Sequence, residues 1–145
     1  MKIQRSVEIA VAPERVWPFL IDPQKIMKWF TFLKRFEYTT AKVSGNGTTF
    51  FYEERSGPQT MKLNYEVTDW IDNSTLAFKL TKGPLRRDDQ IWSLEPTATG
   101  TRFTMTEEVE MPWGSIGRVL DRFLSGMITK NMEKILGNLQ KQAEA

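Results

Sequence analysis

Glu107 is the residue whose surroundings in the sequence best suit it to chemistry. It stands in an alternating run with Met105 and Val109 on its own face, and Gln90 falls opposite when the neighbouring hairpin is closed. A carboxyl group held among apolar side chains has a raised pKa. It can then polarise a ligand carbonyl or hydroxyl, or take a proton from carbon beside a ketone. Tyr65 offers a hydroxyl at the end of an apolar body, and Arg5 lies on the apolar side of the first strand. These are the donors such a site would use against a developing enolate.

Much other chemistry is excluded by composition. The 145 residues include no Cys and no His, which removes disulfides, thiolate nucleophiles, imidazole bases and any metal site built on Cys or His. A net charge of +2 with acids and bases interspersed argues against a nucleic-acid partner. The length suits one domain, residues 1–145. Met1 to Ser6 carries charge and no long apolar run, so no signal peptide is expected. No uncharged segment is long enough to span a bilayer, and a cytoplasmic location is the default expectation. No cofactor is implied.

The elements that would position these groups follow from periodicity. Residues 2–11 alternate as a half-buried strand, with Ile3, Val7, Ile9 and Val11 on one side. Ala12-Pro13-Glu14 opens one short helix and Asp22-Pro23 a second. Turn signals then divide residues 34–111 into six strands. From Ile116 to the C-terminus the apolar pairs Val119/Leu120, Phe123/Leu124 and Met127/Ile128, then Met132, Ile135/Leu136 and Leu139, predict one long amphipathic helix.

Closing the hairpins at Gly57-Pro58, Asp72-Asn73 and Thr97–Gly100 gives a consistency test. The first sets Glu54, Tyr52 and Phe50 against Met61, Leu63 and Tyr65. The second sets Val67 against Phe78 and Tyr65 against Leu80. The third sets Leu94, Trp92 and Gln90 against Phe103, Met105 and Glu107. All three agree on one apolar face. The expected lining of a pocket on that face is Tyr52, Met61, Leu63, Tyr65, Phe78, Gln90, Trp92, Phe103, Met105 and Glu107. Leu120, Phe123, Leu124 and Met127 of the long helix are expected to close over it. Asp88 and Glu54 share the face but lie near strand ends, where solvation is expected.

Three stretches resemble the START-like SRPBCC superfamily of polyketide cyclases/dehydrases and lipid-transport proteins. They are SVEIAVAPERVWPFLIDPQKIMKW near the start, the strand–turn–strand WSLEPTATGTRFTMTEEVE, and the ending PWGSIGRVLDRFLSGMITKNMEKILGNLQKQ. The resemblance implies an α+β helix-grip fold: a curved seven-stranded antiparallel sheet around the C-terminal helix, with two short helices after the first strand. It also implies a cavity for an apolar molecule, and neighbouring first and last strands, which puts Arg5 beside Glu107. A buried Arg5–Glu107 ion pair is the structural alternative to a functional role for either. Signatures of the Hsp90-activator and ubiquinone-binding branches are missing, and Gly45-Asn46-Gly47 is much shorter than the glycine-rich loop of the plant pathogenesis-related branch.

Three functions are therefore weighed. The first is binding of a hydrophobic small molecule (lipid, polyketide or isoprenoid-like) in a pocket of about 300–1,000 Å³. The second is a cyclase/dehydratase-type enzyme using a cavity carboxylate, and the third is a protein-interaction module. Oligomeric state is left open by the sequence.

Overall fold

The computed structural model describes residues 1–114 and 116–145. Seven strands form one antiparallel sheet: β1 (Lys2–Ile9), β2 (Leu33–Tyr38), β3 (Thr49–Ser56), β4 (Gln59–Ile71), β5 (Thr75–Lys82), β6 (Arg87–Thr97) and β7 (Gly100–Glu110). Their order is β1-β7-β6-β5-β4-β3-β2, so a meander of hairpins is completed by the first strand pairing with the last. Alternation does the building: in β6 Asp88, Gln90, Trp92 and Leu94 are buried while Arg87 and Ile91 are exposed.

The registers expected from the first and third hairpins hold residue for residue. The middle one differs at its tip. Val67 pairs with Phe78 and Tyr65 with Leu80 as expected, but Ile71 pairs with Thr75, leaving three turn residues instead of two. An irregularity between Val67 and Asp69 absorbs the extra residue, so the apolar face stays in phase.

The segment after β1 makes three short helical pieces, not two: α1 (Pro13–Val16), α2 (Pro18–Ile21) and α3 (Pro23–Trp29). The break falls at Trp17-Pro18 because proline has no N–H to continue the ladder. Asp22 then caps α3, its Oδ1 accepting from the Gln24 N–H at 3.0 Å. Val16, Leu20, Ile26 and Trp29 from these pieces are buried in the core.

The long helix α4 (Arg118–Glu144) is anchored by its C-terminal half. Met132, Ile135, Leu136, Leu139 and Ala143 are buried, with β1 and α3 as the partners of the helix. Asn138 Nδ2 donates to the Trp29 carbonyl at 3.2 Å and Gln140 Nε2 to the Glu8 carbonyl at 2.9 Å. The N-terminal half behaves otherwise. Leu124 and Ile128 are half-buried, whereas Val119 (86% exposed), Leu120 (42%), Phe123 (66%) and Met127 (43%) face solvent. The apolar stripe there is two residues wide at each turn, and only its inner edge meets the protein. Leu120, Phe123 and Met127 thus do not line the interior as expected. No helix among the described residues is long and apolar enough to cross a membrane.

One glycine is fixed by close approach. At Gly100 (φ +154°) a Cβ would lie 2.1 Å from the Ile9 carbonyl oxygen and 2.8 Å from the Val11 nitrogen. Gly100→Ala is therefore expected to destabilise the fold by about 3 kcal/mol in urea unfolding, through displacement of β1 from β7. Gly57→Ala, with open space around the Cβ, should cost about 1 kcal/mol, the ordinary cost of a left-handed alanine. Equal costs would refute the steric account.

Candidate functional site

The inner face of the sheet carries a continuous aromatic wall. Tyr52 and Tyr65 rings lie 4.9 Å apart, Tyr65 and Phe78 5.1 Å, and Phe78 and Trp92 5.2 Å. Trp29 of α3 closes on Trp92 at 5.3 Å, and Phe30 on Tyr52 at 5.9 Å. Edge-on and tilted geometries dominate, as ring quadrupoles favour. Tyr52, Leu63, Tyr65, Phe78, Gln90, Trp92, Phe103 and Met105 are all 0–4% exposed. Side chains so covered leave very little water-accessible surface between them. The enclosed space bounded by Leu20, Phe36, Phe50, Val67, Phe78 and Trp92 is about 10 Å³, room for one water. An open pocket of several hundred Å³ was the expectation. Here aromatic side chains occupy the lining's own interior, because their bulk and interlocking rings fill it at ordinary packing density.

At one end of this wall the polar groups meet. Tyr65 donates to Asp88 Oδ2 at 2.6 Å, and the Tyr52 and Tyr65 hydroxyls are 2.9 Å apart. Each phenol has one proton. Tyr65 directs its own at Asp88, so Tyr52 is the donor between the two. Gln90 Nε2 reaches Asp88 Oδ2 and Glu107 Oε2, both at 3.2 Å, and the Tyr52 oxygen at 3.4 Å. Trp92 Nε1 fixes the amide by donating to Gln90 Oε1 at 3.1 Å. The donors thus converge on one oxygen of Asp88. Its other oxygen, Oδ1, is buried without a partner among the described residues.

This asymmetry assigns the charges. Burial raises the Asp88 pKa, while hydrogen bonds from Glu107, Tyr65 and Gln90 pull it back. Glu107 is held well above the usual carboxylate range, first by burial, then by the Asp88 charge and a hydrogen bond between the two carboxyls. Asp88 is the ionised member and Glu107 keeps the proton. Glu54, from β3, is raised to about 7 by burial and by Asp88. Burial also raises both tyrosines, which stay protonated donors.

The sequence reading placed Glu107, Tyr65, Tyr52 and Gln90 together, and they meet. Met61, Glu107 and Leu124 are half-buried. Arg5 does not join them: its Nε pairs with Glu133 of α4 at 3.2 Å, with both side chains about half exposed. On the edge strand the longer reach out to the helix lets the guanidinium stay hydrated, which a buried pair with Glu107 would forbid. Asp88 was expected to be solvated and is 2% exposed. Its signal was its phase with Gln90 and Trp92, and the use of its neighbour Arg87 on the opposite face, where it pairs with Asp89 at 2.7 Å and Glu108 at 2.9 Å.

A curved seven-stranded sheet, short helices after the first strand and a long C-terminal helix define a START-like helix-grip protein. The chain belongs to the polyketide cyclase/dehydrase and lipid transport family, which it matches over residues 1–144. It is similar to uncharacterized proteins Rv2574 of Mycobacterium tuberculosis and Mb2604 of Mycobacterium bovis, each 24% identical over 115 residues. The match takes in 75% of this chain and 66% of theirs, so the chain spans just under two thirds of those relatives. Among solved structures, TTHA0849 from Thermus thermophilus superposes with a TM-score of 0.85 at 19% identity, covering 99% of this chain and 97% of that one. The Zhui aromatase/cyclase from Streptomyces sp. R1128 gives 0.79 at 13%, with 99% and 93% covered. A START superfamily protein from Mycobacterium smegmatis gives 0.75 at 16%, with 97% of each covered. These likenesses establish the fold.

Proposed function

We propose that the chain binds an amphipathic small molecule between the sheet and the helices, its apolar body against the aromatic wall and its polar head at the Tyr52–Tyr65–Asp88–Glu107 cluster. The observation that carries this reading is the cluster itself. A linked set of hydroxyl, amide and carboxyl groups on the inner face, with an acceptor left over, is costly to a fold that needs only packing. The family's description, which joins cyclases, dehydrases and lipid transport, supports an apolar ligand.

The closed interior means that the ligand makes its own room. Met61, Leu80 and Leu85 are half-buried and packed against the core from its margin. They can yield to a guest at little cost, methionine most readily because it is unbranched. Native mass spectrometry of protein expressed in cells is expected to detect a co-purified lipid-like mass. Met105→Arg, which places a charge on the inner face, should weaken binding of the neutral apolar probe N-phenyl-1-naphthylamine by about tenfold or more. Probe affinity unchanged in a folded Met105→Arg variant would refute the site. A second reading, proton-transfer catalysis of the cyclase/dehydratase kind, is favoured by one observation: Asp88 and Glu107 hold a base and an acid side by side.

A further inference from the structure

The polar end of the inner face is short of positive charge. Glu54, Asp88 and Glu107 reach it from three strands, and no ion pair among the described residues involves any of them. The neighbouring cation, Arg87, is engaged on the other face with Asp89, Glu108 and Glu110. Every donor in the cluster is neutral: two phenols, one amide and the protonated Glu107 carboxyl. Asp88, 2% exposed, still has Oδ1 without a partner. An anionic centre that is buried, served by neutral donors only and left with an open acceptor is matched by a cation that arrives with the ligand.

We infer that the ligand carries a protonated amine as its polar head, which donates to Asp88 Oδ1 and lies between Glu54 and Glu107. This rests on the binding reading above and names its ligand class. The chemistry separates this head from the alternatives. A carboxylate or phosphate would add negative charge beside Asp88 with no cation to receive it. A hydroxyl would fill Oδ1 but leave the charge uncompensated. A bare metal ion lacks its ligands, since no group of three acids among the described residues is arranged to hold one.

Three ligands with one body and different heads test this: 4-phenylbutylamine, 4-phenylbutanol and 4-phenylbutyrate, titrated calorimetrically into the whole chain at neutral pH. The amine is expected to bind at least about tenfold more tightly than the alcohol, and the carboxylate to bind most weakly. Asp88→Asn should bring the amine to within about threefold of the alcohol, and the wild-type series alone decides the matter if that variant fails to fold. An alcohol or carboxylate that equals the amine, or no binding by the amine, overturns the inference. N-phenyl-1-naphthylamine separates the two failures. If the probe binds and the amine has no advantage, only the head is misassigned; if neither binds, the binding reading falls with it.

Discussion

Glu107→Gln is expected to make the protein more stable above neutral pH, read as a higher urea midpoint than that of the native chain at pH 8. The sign follows from the direction of the shifts. Glu54 and Glu107 both have folded-state pKa values above their ordinary value of 4.5, so the native state binds more protons than the unfolded chain. Stability therefore falls as pH rises through that window, and levels off only above the folded values. For Glu54 the window runs from 4.5 to about 7, and a shift of that size corresponds to about 3 kcal/mol. Glu107 extends the decline to higher pH, because burial first and the Asp88 charge second hold it well above its ordinary value. Glutamine keeps the shape, removes the titration, and can offer its N–H to the open Asp88 Oδ1. The urea midpoint of the native chain should thus drop between pH 5 and pH 8, and that of the variant should drop less. A midpoint that is flat or rising over that range in the native chain would show the cluster to be solvated. The same variant tests catalysis: if the family's proton-transfer chemistry operates here, turnover should fall by about 10²–10⁴ while ligand affinity survives.

A group that costs stability at neutral pH and persists inside a core is the kind of feature binding and catalysis require. This is why the carboxyl cluster, and not the aromatic wall, carries the functional argument. Phe50, Phe78 and Trp92 would pack as they do in any filled α+β core. The buried Asp88, with half-buried Glu107 beside it, has no such excuse.

How far the sequence disclosed this arrangement varied with the kind of interaction. Strand registers were readable because a slip of one residue would reverse every side chain, so Tyr52–Leu63 and Trp92–Met105 had no competing solution. Phase also placed Arg5, Asp88 and Glu107 on the inner face. Depth was not readable from phase. Arg5 sits on an edge strand and reaches Glu133, whereas Asp88 lies on a central strand under Tyr65. The long helix misled for a related reason. Its apolar pairs 119/120, 123/124 and 127/128 each span about 100° of the helix circumference, and which edge is buried depends on how the axis crosses the sheet. Voids are harder still. Residue types that could line a pocket are the same types that fill one.

Trp29→Ala should carry the largest stability cost of any single substitution proposed, about 4 kcal/mol. The indole is fully buried and joins elements that are distant in the chain. Its ring meets Phe30, Trp92 and Phe103 at 5.6, 5.3 and 6.2 Å. Its Nε1 donates to the Phe19 carbonyl at 2.7 Å, and its own carbonyl accepts from Asn138 of α4. Truncation removes the apolar contacts and leaves the Phe19 carbonyl to find another donor, so the loss exceeds that from transfer alone. Trp29→Phe keeps part of the ring contact and should cost about half as much. The alanine variant also creates an indole-sized space beside Phe30, Trp92 and Phe103. Added indole should occupy it and raise the urea midpoint of Trp29→Ala, with no effect on the native chain. Stabilisation of the native chain by indole would mean that the interior already holds a guest-sized void, and that a ligand enters without displacing Met61 or its neighbours. Failure to rescue the variant would mean that α3 collapses onto the sheet, and that the wall depends on Trp29 as a spacer between helix and strands.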